Sequence, residues 1–355
     1  MIGIHFRRFL ITYSVTEITI FAKTSRDNSK DLGKMESKIL VIGAAGQIGI
    51  ELVKKLRDLN GYANVFASDL RCTDAYISDS NFIQLDVLDK PALRDLFIEN
   101  SFTEVYLLAA MLSATGEKYP INAWDLNMQS LLNILELGKD KLVNKIFWPS
   151  SIAVFGTESP KFNTPQHSIK NPNTVYGISK LAGEQWCDYY HTKYDVDVRS
   201  LRYPGLIGHE SEPGGGTTDY AVSIFHEALE NNSFTCYLHK DRALPMMYMD
   251  DAIRSTIEIM EADPESIKHR DSYNLAGISF SPEQLALEIK KHLPNFKMDY
   301  LIDSRDHIAS TWPSSIDDSV AKEEWNWNPT YNLESMVEDM IFNLKKKRSS
   351  RAVVS

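Results

Sequence analysis

The segment Lys38-Ile-Leu-Val-Ile-Gly-Ala-Ala-Gly-Gln-Ile-Gly49 constrains this chain more than any other. Ile39 to Ile42 is a short β-branched and leucine run, which reads as a strand buried on both faces. Gly43 permits a tight turn out of that strand. Gly46 leaves room for a pyrophosphate beside the backbone, and Gly49 lets the following helix lie close to the sheet. A helix from Gln47, with Ile48 in its first turn, directs its N–H groups and positive dipole end at the phosphates. A second strand, residues 64–68, ends at Asp69, twenty residues beyond Gly49. A carboxylate there accepts hydrogen bonds from an adenosine ribose and repels a 2′-phosphate, which favours NAD over NADP. The plain alternative is a glycine-rich strand–helix turn that binds nothing.

From Lys38 onward strands and helices alternate. Strands are expected at residues 81–85, 103–109, 145–148 and 197–201, with helices at 91–99, 124–138 and 176–193. Alternation of this kind predicts an α/β fold: a doubly wound parallel (Rossmann) sheet with right-handed crossovers, followed by a smaller α/β C-terminal substrate region. The expected boundaries are 36–205 for the cofactor domain and 206–345 for a region mainly concerned with substrate, with some of its segments returning to the first domain. Asp86 and Val87, after the third strand, stand where an adenine would lie, although an ordinary loop aspartate fits as well. Leu108, Ala109 and Ala110 stand at the end of the fourth strand, where small residues let a cofactor pass.

Ser151 lies at the end of the fifth strand, the edge at which open α/β sheets bind ligands. Tyr176 and Lys180 follow at i and i+4 on one helix face. A lysine cation one turn from a tyrosine is expected to lower the phenol from its usual value near 10, and a lowered phenol serves as a general base toward an alcohol.

Taken together, Gly43, Gly46, Gly49, Asp69, Ser151, Tyr176 and Lys180 resemble the extended short-chain dehydrogenase/reductases, over about residues 38–345. Tyr203 and Pro204 resemble that family's loop over the nicotinamide. Two further segments, Gly214-Gly-Gly-Thr-Thr-Asp-Tyr-Ala221 and Leu244-Pro-Met-Met-Tyr-Met-Asp-Asp-Ala252, are similar to one branch, the short-chain-type L-threonine 3-dehydrogenases. The resemblance implies oxidation of L-threonine by NAD+ to 2-amino-3-ketobutyrate. Tyr176 is then the base, Lys180 its neighbouring cation and a donor to the nicotinamide ribose, and Ser151 the holder of the reacting oxygen. Ser113, Thr217, Thr218 and Trp312 are candidates for the substrate carboxylate and ammonium. Thr217 or Thr218 is also placed to cap the helix that follows. A nucleotide-sugar epimerase or dehydratase is the nearest rival. It needs cations for a diphosphate, and Arg242, Arg254, Arg270 and Arg305 do not exclude it. A non-catalytic NAD-sensing regulator is remoter, since both Tyr176 and Lys180 are present.

Composition closes other routes. With 38 basic against 48 acidic residues and a formal charge of −10, the chain offers no basic surface for nucleic acid. Three widely spaced cysteines form no disulfide framework, and nine histidines show no metal-ligand spacing, so no metal is expected. No apolar run approaches the roughly 20 residues that span a bilayer. Residues 1–34 hold six basic residues against three acids, with many Ser and Thr. They suggest a transit peptide and a mitochondrial location. A disordered extension, with Met35 as the initiator and a cytoplasmic location, is the alternative. Lys345 to Arg348 reads as the start of a solvated basic tail, residues 346–355. Apolar residues on helices 124–138 and 176–193, beyond what one core face needs, suggest a homodimer.

Overall fold

Burial on both faces is what the first strand's sequence asks for, and all four residues of β1 (Ile39–Ile42) are buried. The computed structural model describes residues 37–210, 214 and 216–354; the leader at 1–34, Pro213 and Gly215 lie outside them. Strand β2 (Val65–Asp69) follows the first helix, α1 (Gln47–Asn60). Next come β3 (Phe82–Gln84), α2 (Lys90–Asn100), β4 (Glu104–Leu107), α3 (Ser113–Lys118) and α4 (Pro120–Lys139). Then follow β5 (Lys145–Ser151), α5 (Val175–Tyr194) and β6 (Asp197–Tyr203). Beyond residue 204 lie β7 (Gly205–Ile207), α6 (Tyr220–Asn231), β8 (Ser233–Cys236), β9 (Leu244–Tyr248) and α7 (Met249–Glu261). The chain continues through β10 (Tyr273–Asn274), β11 (Ile278–Phe280), α8 (Pro282–His292), β12 (Lys297–Tyr300), α9 (Ser304–Thr311), α10 (Ser319–Trp325) and α11 (Leu333–Val354).

The main sheet has seven strands in the order β10-β6-β5-β4-β1-β2-β3, all parallel. It is thus a Rossmann-type α/β fold, with the strand order reversing between β1 and β4. Helices cover both faces. Leu52, Val53 and Leu56 of α1 pack with Met249, Ala252 and Ile253 of α7 on one side. Leu131, Ile134 and Leu135 of α4 pack with Cys187 and Tyr190 of α5 on the other. Residues beyond 204 add a three-stranded sheet, β11-β9-β7, and the pair β12-β8. Tyr273 and Asn274 return to the main sheet, in register with Leu201 and Arg202.

Two expectations change. The fifth strand runs on to Ser151, which places that serine in the last ladder position, opposite Tyr203. The C-terminal basic run is helical, since α11 continues through it, and while Lys345 and Lys346 are exposed to solvent, its last two cations are engaged. Lys347 Nζ donates to the Glu210 carbonyl at 2.7 Å and Arg348 Nη2 to that of His226 at 3.0 Å, so both cations satisfy loop and helix carbonyls. No helix of the described residues is long and apolar enough to cross a membrane.

Candidate active site

The glycine turn shows why each of its positions is small. Gly43 has φ of +88°, and a Cβ there would stand 2.6 Å from Ala109 N. A Cβ at Gly49 would stand 2.3 Å from Gly43 O, so the turn and α1 could not both keep their places. Gly46 differs: a Cβ there meets only Gly43 O at 3.4 Å. Protein packing does not demand that glycine, whereas a phosphate drawn to the N-terminus of α1 does. That N-terminus carries no side-chain cap and no acid in its first turn. Asp69 Oδ2 accepts Ala45 N–H at 3.0 Å, which holds the carboxylate beside the turn. These residues fit a dinucleotide. Asp86 is less engaged: it is exposed, and its Oδ1 accepts Leu88 N–H. Val87 is buried, and its carbonyl accepts Asn133 Nδ2.

A cavity lies at the C-terminal ends of β4, β5 and β6, bounded also by the start of α1, Gly216–Asp219 and Trp312. Of the expected residues it brings together Gln47, Ile48, Leu108, Ala110, Ser113, Ser151, Tyr176, Lys180, Tyr203, Pro204, Thr217, Thr218 and Trp312. Gly43, Gly46, Gly49, Asp69, Asp86, Val87 and Ala109 are not in its wall. The Tyr203 hydroxyl bonds Thr256 Oγ1 behind β6 and so brings no hydroxyl to the cavity.

Helix α5 is seated on the 152–154 turn by a close approach. Thr174 Oγ1 caps Gly177 N–H at 3.1 Å, and a Cβ on Gly177 would lie 2.2 Å from Ala153 O. This seating puts Tyr176 in hydrogen-bond contact with Ser151. The expected lowering of the Tyr176 phenol is not found. Desolvation in the cavity wall pushes it up to about 12, and the bond with Ser151 opposes this only in part. Lys180 is 3% exposed, and burial brings its amine down to about 7. Its Nζ donates to Pro149 O at 2.6 Å and stands 5.6 Å from the Tyr176 ring centre. Desolvation thus outweighs the pair attraction that helical spacing suggested.

Neither threonine caps α6. Asp219 is the N-cap residue and its Oδ2 accepts Gly216 N–H at 2.8 Å. The helix begins one residue later than the threonine cap would require. Thr217 is instead buried, with Oγ1 3.3 Å from Ser113 Oγ across the cavity wall. Trp312 is 5% exposed, lines the cavity, and its Nε1 has no acceptor among the described residues.

Two supporting residues were not foreseen. Asn127 on α4 grips both backbone groups of Met111, with Oδ1 accepting its N–H at 2.8 Å. Nothing in the sequence distinguishes that asparagine. Glu184 is wholly buried and accepts from Ser150 Oγ and Arg202 Nε, each at 2.7 Å. Its spacing, four residues beyond Lys180, was a usable signal. Among the described residues no group of three or more His, Cys, Asp or Glu is placed to hold a metal.

The model of the NAD-dependent epimerase/dehydratase family matches residues 39–276. The chain belongs to that family. It is an oxidoreductase-type enzyme, and its cofactor is NAD. An uncharacterized epimerase/dehydratase of Staphylococcus haemolyticus is 46% identical over 88% of this chain and 99% of its own. The holo form of a GalE-like L-threonine dehydrogenase from Cupriavidus necator is 52% identical. It superposes with a TM-score of 0.85 over 86% of this chain and 99% of that one. A monomeric L-threonine 3-dehydrogenase from a metagenome is 45% identical, with a TM-score of 0.84, over 87% and 99% of the two chains. The mitochondrial expectation is overturned: curated relatives 46% and 45% identical to this chain are staphylococcal proteins, from cells that have no such organelle.

Proposed function

We propose that the protein oxidises L-threonine to 2-amino-3-ketobutyrate with NAD+. The observation that carries this reading is the chemistry of the cavity wall. It presents Ser113, Ser150, Ser151, Thr217, Thr218 and Tyr176, with Lys180 its one cationic side chain near the sheet edge and no arginine among the described residues. A sugar nucleotide's diphosphate asks for cations. The four arginines left open by sequence are engaged elsewhere: Arg242 with Asp306, Arg254 with Asp251, Arg270 with Asp197 and Arg305 with Asp303. A small polar substrate suits hydroxyls and one unpartnered indole N–H better. The threonine dehydrogenase of Cupriavidus necator supports the same reading.

NAD+, when bound, supplies the hydride acceptor and a positive charge. Tyr176, once ionised, takes the proton of the substrate's Cβ hydroxyl. Ser151 holds the same oxygen as its charge develops, a contribution commonly worth about 3 kcal/mol. Lys180 offers its Nζ to the cofactor ribose and to the charge on Tyr176. Ser113 and Thr217, joined across the wall, and Trp312 Nε1 receive the amino-acid carboxylate. The test is absorbance at 340 nm. NAD+ with L-threonine is expected to give a rising signal, and NAD+ with a UDP-sugar none. No signal with L-threonine, together with redox-neutral conversion of a UDP-sugar to its epimer or dehydrated product, would return the protein to the epimerase reading.

A further inference from the structure

Trp312 follows α9 directly, at a helix end whose last carbonyls have no partner within the helix. A residue far back in the chain supplies one. Lys161 Nζ donates to the carbonyls of both Ser310 and Trp312. Its own carbonyl accepts Ser314 N–H at 2.7 Å. The two segments then run on as a ladder. Thr164 N–H donates to Ser315 O at 3.0 Å, Asp317 N–H to Thr164 O at 3.0 Å, and Thr164 and Ile316 form a bridge. Thr311 Oγ1 also donates to Asn173 Oδ1 at 3.3 Å, next to the residue that caps α5. One strap therefore joins a cavity wall to the approach of the Tyr176 helix.

The ladder fixes residues 314–317, but the turn that carries the indole lies before it. A half-buried ammonium grips that turn from beneath, where a cation also suits the helix C-terminus. Burial, aided by Arg242, lowers the Lys161 amine, so a share of its hydration has been given up for these two carbonyls. We propose that Lys161 is a positioning residue for the substrate: it sets the place of Trp312 and leaves the cofactor half untouched. The proposal rests on Trp312 being a substrate wall, as in the function proposed above.

Two measurements test it. The first needs no substrate. The chain has six tryptophans, so 5-fluorotryptophan labelling gives six 19F resonances, and Trp312→Phe assigns one of them. Lys161→Met should move or broaden that resonance and spare the other five. The second is kinetic. Lys161→Met should raise KM for L-threonine on the order of tenfold, the scale of a small misplacement at a binding wall. The NAD+ dissociation constant should stay unchanged. Trp312→Phe combined with Lys161→Met should be no worse than Trp312→Phe alone, because one residue acts through the other. Lys161→Arg, which keeps a donor, should restore most of the KM and provides a folded comparison if the methionine variant melts early. An unmoved Trp312 resonance, or full additivity in the double variant, overturns the proposal. A wild-type enzyme that ignores threonine overturns the function proposed above, and the 19F result still decides the role of Lys161.

Discussion

Tyr176 and Lys180 are displaced in opposite directions, the phenol up to about 12 and the ammonium down to about 7. The consequence for activity follows from which form each must take. A base works deprotonated, so raising the phenol moves the onset of activity toward alkaline pH, and kcat/KM should climb as pH rises above neutral. Because the two groups sit together, the climb reports the pair and not either residue alone. Tyr176→Phe keeps the ring and removes the ionising hydroxyl. Turnover should fall by about 10²-fold or more while NAD+ binding survives. Lys180→Met should weaken NAD+ binding, because the cofactor ribose loses a donor, read from cofactor titration. Asp69→Ala should weaken NAD+ and relax discrimination against NADP+; equal use of both by the wild type would remove Asp69 from the ribose. The spacing of Ser151, Tyr176 and Lys180, and of the three glycines, was readable because each cluster is local in the chain. The direction of the tyrosine shift was not, because desolvation comes from walls contributed by distant segments such as Trp312 and Thr217.

At the level of elements, the groove between α1 and α7 holds a carboxyl that behaves against habit. Glu51 Oε1 is buried without a partner among the described residues, and burial, with Asp250 and Glu210 nearby, pushes the group up to about 8. The folded protein keeps this proton where the unfolded chain, titrating near 4.5, has lost it. Folding stability therefore falls as pH rises from about 4.5 to about 8, the reverse of a salt-bridged carboxylate. Glu51→Gln should raise the melting temperature at pH 9, by a stabilisation on the order of 1–3 kcal/mol, and change little at pH 4. Equal melting curves at both pH values would show that Glu51 is solvated. The alternation of β1 to β6 with helices was legible in hydrophobic runs and caps. Shorter pieces escaped: β7 and β11 have three residues each and pair with β9 across long stretches of chain. Helix α9, eight residues with a polar face, gives little periodicity to read.

At the scale of the whole molecule, α4 and α5 expose more apolar surface than a helix facing water needs. Tyr119, Ile121 and Trp124 stand out at the start of α4, and Ile178, Trp186 and Tyr189 along α5. We propose that two copies pair on these helices. Light scattering should return twice the 40.4 kDa chain mass, and Trp186→Glu should shift it toward the single chain. A wild-type protein of single-chain mass at micromolar concentration would end this reading, and the monomeric relative makes that comparison direct. The two residues of β10 carry a different kind of consequence. Arg202 is fully enclosed in the finished protein, and Asn274 Oδ1 accepts its Nη1 at 3.0 Å from the neighbouring strand. A ribosome delivers β6 long before it delivers residue 274. During that interval the nascent chain has its nucleotide pocket sequence in full, yet β6 is a bare parallel edge beside a half-satisfied guanidinium. Any product that stops before Tyr273 would keep that edge for good. It would be sticky to other strands, and so a natural client for chaperones and proteases.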